Sequence, residues 1–484
     1  MDWIILGVYL TVLFFIFLYS LGQLHLLWHY RKKKVDEDSF KNKEVKDWPM
    51  VTIQLPLYNE RYVAERLIKQ VAALDYPKDK LQIQVLDDST DDTVTQVAQW
   101  VAYFQQEGVD IQQVRREERV GFKAGALDYG LQYAKGEFIA IFDADFMPER
   151  DFLKRMLPAF EEGVGVVQAR WGHINRDYSF FTRMQAFGLD AHFTVEQGGR
   201  NAAGSFINFN GTAGVWRKAC IEDAGGWQAD TLTEDLDLSY RAQMKGWRFV
   251  FREEVEAPAE LPVTMEAIKS QQFRWNKGAA ECSRKHLANV MGLSVPWTTK
   301  IHALFHLMNS SLFLLIFLAS VLSVPLLWVK EYNEQAAQLF YIGNIYLIGF
   351  LSIALFYWKA SQRMQTFDTE LSKSYFWKNF PLFLMVSMGL SLHNSLAVLE
   401  GWLGFKSPFI RTPKFGVEKK TDAFAGNIYL KHSISLQTLI EGVLCCYFLF
   451  GIGLGISYQD YGLLIFHAML SLGFGSIFWQ SMKS

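Results

Sequence analysis

The sequence predicts an α/β domain inserted between membrane-spanning helices. Three observations support this fold class: an apolar stretch opens the chain, short apolar runs alternate with amphipathic helical patterns from residue 50 to about 290, and long apolar stretches return after residue 300. Alternating strands and helices are typical of a mostly parallel sheet with helices on both faces. A chain of 484 residues also exceeds what one core supports, so at least two structural units are expected.

The composition excludes several classes of protein. Half of the residues are hydrophobic and 20% are charged, which excludes disordered and collagen-like chains. A net charge of −2 offers no global basic surface, so no nucleic-acid partner is expected. The four cysteines, two of which are adjacent at Cys445 and Cys446, form neither a disulfide framework nor a CxxC zinc module.

The first predicted element is a membrane anchor over residues 1–30. Its apolar run is long enough to cross a hydrocarbon core of about 30 Å. A basic run follows at residues 31–34 with no small-residue cleavage site after it, so an anchor is predicted rather than a cleaved signal peptide. The positive-inside rule then places the charged linker 31–49, and the 50–290 domain after it, in the cytoplasm.

Within the 50–290 domain, strands are predicted over 51–55, 82–86 and 138–142, and each is followed by a polar cluster. The carboxyl ends of parallel strands meet at one edge of a sheet, where ligands of such sheets bind. The polar clusters are therefore expected to lie together. Neither a dinucleotide fingerprint nor a P-loop occurs in the sequence.

Carboxylates and one lysine are the first candidates for chemistry. Asp143 and Asp145 leave a buried strand two residues apart, so both can converge on Mg²⁺ or Mn²⁺ together with substrate phosphates. Lys123 opens a predicted helix among small residues, which suits a phosphate, although a solvated surface lysine is the alternative. Asp87 and Asp88 are candidates too, with a turn or a helix cap as the alternative.

Two further motifs begin or occupy predicted helices. Glu234 and Asp235 start a helix, where Asp235 is a candidate general base; capping of the helix is the alternative. In the cluster Gln271, Arg274 and Trp275, the guanidinium can neutralise a diphosphate and the indole can stack on a sugar. An amphipathic helix with an interfacial tryptophan is the alternative interpretation of this cluster.

The 291–484 region is predicted to be a membrane domain. The predicted spans lie at about 301–329, 338–358, 436–456 and 461–481. The apolar stretch 380–403 contains ionisable residues and is flanked by basic segments on both sides. It is therefore predicted to be an interfacial helix along the membrane, with a sixth crossing as the alternative.

In their order and combination, these motifs resemble the membrane-bound family-2 glycosyltransferases of the cellulose synthase superfamily. The resemblance covers about residues 50–290 and, more weakly, the region to about 415. Residues 56–60, 86–91, 209–217 and 260–262 look most like plant mannan synthases and their xyloglucan-backbone relatives. A loop at 405–416 is similar to the FxVTxK gating loop of cellulose synthases, but it carries Arg411 where that pattern has valine.

The resemblance implies a cytoplasmic GT-A type nucleotide-sugar-binding domain. It implies that Asp235 is the base that deprotonates the acceptor, beside Glu234, and that Asp145 binds Mg²⁺ or Mn²⁺, with Asp143 facing both donor and metal. The substrate-binding residues that it implies are Tyr58, Glu60, Asp87, Asp88, Lys123, Asp143, Gln271, Arg274 and Trp275.

The predicted function is that of an inverting, processive hexosyltransferase. It would use UDP-glucose or GDP-mannose to build a β-linked polysaccharide and export it across the bilayer. The alternative with the same chemistry moves one sugar to a membrane lipid; a transporter that only senses nucleotide sugars is a rival from another class. A multi-pass protein of the bacterial inner membrane is favoured, or of the Golgi in a eukaryote, and the sequence gives no oligomeric state.

Overall fold

The computed structural model describes residues 1–32, 47–407, 410–419, 422 and 435–483. In these residues, one sheet contains seven strands. The strands are β1 (Val51–Leu57), β2 (Leu81–Asp87), β3 (Asp110–Val114), β4 (Phe138–Ile141), β5 (Val164–His173), β6 (Gly214–Arg217) and β7 (Arg248–Ala259).

The sheet is mostly parallel, as predicted. Its strand order is β3-β2-β1-β4-β6-β5-β7. Parallel pairing joins β1 to β2 and β4, β2 to β3, and β5 to β7, whereas β6 runs antiparallel to β4 and β5. The three strands predicted from the sequence are β1, β2 and β4, which lie next to one another. Their carboxyl ends therefore meet at one edge.

Helices cover both faces of the sheet. The helices from the amino terminus to the end of this domain are α1 (Asp2–Lys32), α2 (Ala64–Ala72), α3 (Thr93–Gln106), α4 (Phe122–Leu131), α5 (Phe152–Met156), α6 (Phe180–Ala191), α7 (Gln197–Ala202), α8 (Lys218–Asp223), α9 (Glu234–Met244) and α10 (Met265–Gly292). A single π-helical turn, His192–Glu196, joins α6 to α7. Such turns are frequent near functional sites.

Strands β1 and β2 carry apolar side chains on one face and buried polar side chains on the other. The odd-numbered residues of β1 belong to the main apolar core with α2. On the opposite face, Thr52 donates to Gln82 Oε1 at 2.8 Å, and Gln54 donates to Gln84 Oε1 at 3.0 Å. These pairs satisfy polar groups that would otherwise destabilise a buried sheet.

Further helices follow in the region that is predicted to be a membrane domain. They are α11 (Trp297–Leu307), α12 (Ser311–Tyr332), α13 (Glu334–Gly343), α14 (Ile348–Phe367), α15 (Tyr375–Gly389), α16 (Ser391–Leu403), α17 (Leu436–Ser457) and α18 (Leu464–Lys483). Among the described residues, five helical stretches are long and apolar enough to cross a membrane. They are Asp2–Lys32, Ser311–Tyr332, Glu334–Phe367, Leu436–Ser457 and Leu464–Lys483.

The stretch predicted as one span at 301–329 is divided by a break after Leu307, so its first part belongs to α11 and only α12 is long enough to cross. Helices α15 and α16 meet at a bend of 52°, and counting them as one broken span gives six candidate crossings instead of five. The surface position of 380–403 stays a prediction.

Helix α16 packs against α10, the last helix of the α/β domain. His393 donates from Nε2 to the carbonyl oxygen of Lys269 at 2.8 Å. The Lys277 ammonium lies 3.0 Å from the Glu400 carboxylate. The polar residues that make this apolar stretch unusual therefore contact the helix that carries Gln271, Arg274 and Trp275.

Candidate active site

A cavity lies where the carboxyl ends of β1, β2 and β4 meet, and helices α4, α9 and α10 contribute side chains to it. The sequence-predicted residues that line it are Tyr58, Glu60, Asp88, Lys123, Asp143, Asp145, Glu234, Asp235, Gln271, Arg274 and Trp275. The structure therefore brings together residues that are far apart in the chain.

Asp87 departs from this set. Its side chain is only 1% exposed, and it accepts hydrogen bonds from the backbone of Ser89 at 2.9 Å and from Gln113 at 2.7 Å. A carboxylate held in this way is a turn-forming group. Of the pair predicted to bind the donor, only Asp88 lines the cavity.

Asp88 is held by two arginines that the sequence analysis did not select. Arg116 donates from Nε to Asp88 Oδ1 at 3.0 Å and from Nη2 to Oδ2. The guanidinium of Arg119 lies 3.4 Å from the centre of the Tyr58 ring, which is a cation–π contact. Both residues line the cavity. The basic run just before Lys123 is the sequence signal from which they could have been predicted.

Lys123 joins two of the predicted carboxylates. Its Nζ lies 2.6 Å from Asp143 Oδ1 and 3.8 Å from Glu234 Oε1, and it donates to the carbonyl oxygen of Gly211 at 2.9 Å. Burial by itself lowers the pKa of Lys123, but the charges of Asp143 and Glu234 outweigh it and raise the pKa above its usual value. A permanent positive charge therefore sits in the cavity.

Asp145 is paired with a residue from the far end of the chain. Lys414 places Nζ 2.7 Å from Asp145 Oδ2 and 2.9 Å from the carbonyl oxygen of Glu260. The carboxylate of Glu260 in turn accepts from the backbone N–H groups of Phe415 and Gly416 at 2.8 and 3.0 Å. Glu260 thus fixes the backbone of the 410–419 segment over the cavity.

The same segment closes a second side of the cavity. Arg411 lies 3.0 Å from Glu60 Oε2 and donates to the carbonyl oxygen of Asn59. Burial raises the pKa of Glu60 to about 8, even though the charge of Arg411 acts in the opposite direction. Arg274 donates to Thr412 Oγ1 at 2.8 Å. The departure from the gating-loop pattern at Arg411 therefore creates a contact with a predicted site residue.

Asp235 stands in the first turn of α9. Its Oδ1 accepts from the backbone of Leu236 at 2.8 Å. Burial and the neighbouring charge of Glu234 raise the pKa of Asp235 to about 7, and burial raises the pKa of Glu234 as well. Thr233, the residue before α9, makes no side-chain capping hydrogen bond. A carboxylate with this pKa suits a general base near neutral pH.

Gly211 is the close neighbour of Asp235. Its φ of +79° lies in the left-handed region that favours glycine. A Cβ atom at this position would come within 3.0 Å of Asp235 Oδ2 and 3.4 Å of Lys123 Nζ. The backbone of the loop before β6 therefore lies in close contact with the Asp235 carboxylate.

Two tryptophans form an aromatic wall. Trp275 lies with its ring centroid 6.5 Å from that of Trp171, and Trp171 stacks on Phe193 at 4.7 Å. Trp171 was not selected by the sequence analysis, and it also lines the cavity. Aromatic faces of this kind are suited to contact with sugar rings.

The donor set fits one kind of divalent metal site. No cluster of three or more His, Cys, Asp or Glu side chains that could hold a metal occurs in the described residues. Mg²⁺ and similar ions need only one or two carboxylates when substrate phosphates complete their coordination. Asp143 and Asp145 supply such oxygens at the sheet edge, so they fit a metal shared with a diphosphate.

The family comparison matches the same part of the chain. Residues 49–278 match the family described as Glycosyltransferase like family 2. This confirms the predicted resemblance over the α/β domain. The matched residues contain every strand of the sheet, the helices that carry Lys123 and Asp235, and the first part of α10 with Arg274. Most of the residues that line the cavity therefore lie in the part of the chain that matches this family.

Curated relatives carry more specific names. The chain is 43% identical over 270 residues to glucomannan 4-beta-mannosyltransferase 1 of Oryza sativa subsp. japonica, which covers 54% of this chain and 51% of the relative. It is 44% identical over 255 residues to glucomannan 4-beta-mannosyltransferase 2 of Arabidopsis thaliana, and this match covers 51% of this chain and 47% of the relative. The chain thus spans about half the length of the curated relatives it matches.

A solved structure shares the fold. A mannosyltransferase from Pyrobaculum calidifontis, in complex with GDP-Man and Mn²⁺, superposes with a TM-score of 0.54 at 19% identity. The similarity covers 82% of this chain and all of that one. This agreement confirms the GT-A type α/β fold that the resemblance implied.

Proposed function

We propose that this protein is an inverting β-mannosyltransferase that uses GDP-mannose to elongate a β-linked polysaccharide at a membrane. The observation that carries the proposal is the cavity, where Asp235 with a pKa of about 7 lies beside the cationic Lys123 and Arg274. The names of the plant relatives support mannose as the sugar that is transferred.

Asp235 is the proposed general base. As the acceptor hydroxyl attacks the anomeric carbon of the donor, its proton passes to the Asp235 carboxylate. The bond between that carbon and the diphosphate oxygen breaks, and GDP leaves with the bonding electrons. Attack from the face opposite the leaving group converts an α-linked donor into a β-linked product. The proton then passes from Asp235 to solvent.

The donor side of the cavity neutralises the leaving group. Lys123 and Arg274 place positive charge where a diphosphate develops negative charge, a role that such groups fill in enzymes of phosphate chemistry. Asp143 and Asp145 would hold Mg²⁺ or Mn²⁺, which would supply further charge relief to the diphosphate when bound. Asp88 and Tyr58, held by their arginine partners, lie at the nucleoside end.

The acceptor side is formed by Gln271 and Trp275 on α10, with Glu234 beside the base. A sugar ring stacked on Trp275 would present its hydroxyl to Asp235. Helix α10 packs on α16 at the membrane domain, so the product leaves the cavity next to the helices proposed to export it. The domain would be cytoplasmic, and the bacterial inner membrane stays a prediction because the named relatives are plant proteins.

The test uses membranes from cells that express the protein. They are supplied with GDP-[¹⁴C]mannose or UDP-[¹⁴C]glucose, with Mn²⁺, Mg²⁺ or EDTA, and the products are separated by size and by solubility in organic solvent. The proposal predicts a water-phase polymer labelled from GDP-mannose, cut by a β-1,4-mannanase and lost with EDTA. Label in the organic phase at one sugar per lipid would instead establish a glycolipid synthase, and polymer made only from UDP-glucose would overturn the choice of donor.

A further inference from the structure

One wall of the cavity carries an amide whose direction is fixed by buried neighbours. Asn210 lines the cavity. Its Oδ1 accepts from Gln197 Nε2 at 2.8 Å, and its Nδ2 lies 3.0 Å from His192 Nε2. Both partners come from the π-helical turn and the start of α7, behind the cavity wall.

The hydrogen bonds allow a single assignment of this network. Gln197 Nε2 also donates to the carbonyl oxygen of Asn208 at 3.0 Å, and a carbonyl can only accept. The amide nitrogen of Gln197 therefore faces Asn210, so the oxygen of Asn210 faces Gln197 and its nitrogen faces His192. The Nε2 atom of His192 must accept, which places the ring proton on Nδ1.

The contact of the other ring nitrogen of His192, Nδ1, agrees with this tautomer. His192 Nδ1 lies 2.9 Å from Glu196 Oε2, so the ring donates to a carboxylate there. The other oxygen of Glu196 accepts from Arg200 at 2.9 Å. Burial by itself raises the pKa of Glu196, but the His192 hydrogen bond and the Arg200 charge hold it well below its usual range. The carboxylate is therefore ionised and fixed.

One hydrogen of the Asn210 amide is left over. Nδ2 carries two hydrogens, one directed at His192, and the other makes no hydrogen bond within the described part of the chain. Asn210 directly precedes Gly211, which lies against the Asp235 carboxylate. Phe193, the residue after His192, stacks on Trp171 in the aromatic wall. Asn210 thus lies on the cavity wall that also holds Trp171 and Trp275.

We propose that Asn210 donates a hydrogen bond to a hydroxyl of the acceptor sugar beside Asp235, and that His192, Glu196 and Gln197 are positioning residues that fix the direction of its amide. The proposal rests on the proposed function. An amide fixed in this way presents a donor and cannot turn its oxygen toward the sugar. It therefore selects an acceptor with a hydroxyl oxygen at that point, as sites built around one hydrogen bond do.

The first experiment separates acceptor binding from donor binding. The purified full-length protein transfers mannose from GDP-mannose to β-1,4-mannotetraose with Mn²⁺, while binding of GDP-mannose is measured by calorimetry. Asn210→Ala is expected to raise the KM for mannotetraose about tenfold, the effect of one hydrogen bond of about 1.4 kcal/mol. The Kd for GDP-mannose is expected to stay within twofold, which also shows that the variant is folded.

A matched control removes a similar amide away from the cavity. Asn201, in α7, donates to the carbonyl oxygen of Phe249 at 2.9 Å and does not line the cavity. Asn201→Ala is expected to change neither the KM for mannotetraose nor the Kd for GDP-mannose by more than twofold. Equal effects of Asn201→Ala and Asn210→Ala on the KM for mannotetraose would overturn the proposal.

The second experiment tests the positioning role by a double-mutant cycle. His192→Ala is expected to raise the KM for mannotetraose three- to tenfold, and His192→Gln, whose amide oxygen can accept from Asn210, is expected to recover most of the loss. The double variant His192→Ala/Asn210→Ala should be no worse than Asn210→Ala alone, because His192 acts only through the amide.

Three further outcomes would overturn the proposal and leave the proposed function intact. They are an unchanged KM for mannotetraose in Asn210→Ala, a parallel loss of GDP-mannose binding, and additive effects of the two alanine variants. Failure of the proposed function is distinguishable, because the wild-type protein itself would then transfer no mannose.

Discussion

Lys414 Nζ lies 2.7 Å from Asp145 Oδ2, although 269 residues separate them in the chain. The contact joins the predicted metal-binding carboxylate at the end of β4 to a segment that follows α16. Arg411 and Thr412 of the same segment contact Glu60 and Arg274. The cavity is therefore completed by residues outside the glycosyltransferase-like domain, and the domain alone lacks one of its walls.

The Lys414–Asp145 pair predicts competition between the ammonium group and a divalent cation. Lys414→Met removes the charge that neutralises Asp145, so Mn²⁺ should bind three- to tenfold more tightly in the absence of donor. Electron paramagnetic resonance of free Mn²⁺ measures this affinity directly. Lys419→Met changes an exposed lysine of the same segment and should leave the affinity unchanged. Unchanged or weaker Mn²⁺ binding in Lys414→Met would contradict this assignment.

The raised pKa of Asp235 predicts the acid limb of the pH–rate profile. A general base acts in its ionised form, and the pKa of this carboxyl is raised to about 7 by burial and by Glu234. Below pH 7 the protonated fraction grows, so kcat should fall about tenfold for each further pH unit. Initial rates between pH 5 and pH 8 at saturating donor and acceptor measure it. A rate that stays constant from pH 5 to pH 7 would exclude Asp235 as the base.

A buried ion pair near the amino-terminal end of α10 predicts a stability effect. The Lys269 ammonium lies 2.8 Å from the Glu441 carboxylate of α17, which is fully buried. Removing one partner of such a pair leaves an uncompensated charge and costs about 3 kcal/mol, whereas replacing both with apolar residues costs much less. Glu441→Leu should therefore lower the thermal midpoint of the full-length protein in detergent by several degrees.

The matched variant for this pair is Lys269→Met/Glu441→Leu. This double variant should recover most of the decrease in thermal midpoint that Glu441→Leu causes, because no unpaired charge remains between α10 and α17. A double variant that is less stable than Glu441→Leu would show that the pair is not the source of the effect.

The sequence alone predicted the edge of the sheet, and every predicted site residue except Asp87 lines the cavity. Local patterns made it possible to predict Asp143, Asp145 and Lys123. These patterns place them at the end of a strand or the start of a helix, and such positions determine where a side chain lies. Asp87 shows the limit of such reasoning. Adjacent residues at the end of a strand point in different directions, so Asp88 lines the cavity while Asp87, the last residue of β2, is buried.

The remaining residues depend on contacts that no local pattern encodes. Lys414 reaches the cavity from a segment whose backbone Glu260 holds. Asn210 is oriented by His192 through a π-helical turn that has no sequence signature of its own. Long-range contacts of this kind can be identified only from the three-dimensional structure.

The most direct test of the catalytic assignment is Asp235→Asn in the full-length protein, with binding of GDP-[¹⁴C]mannose and transfer of label measured on the same membranes. Asp230→Asn, an exposed carboxylate just before α9, is the control. We expect Asp235→Asn to bind GDP-mannose within threefold of the wild-type Kd and to lose at least a thousandfold in transfer, while Asp230→Asn keeps both. Transfer by Asp235→Asn at a tenth or more of the wild-type rate would contradict the assignment of the base.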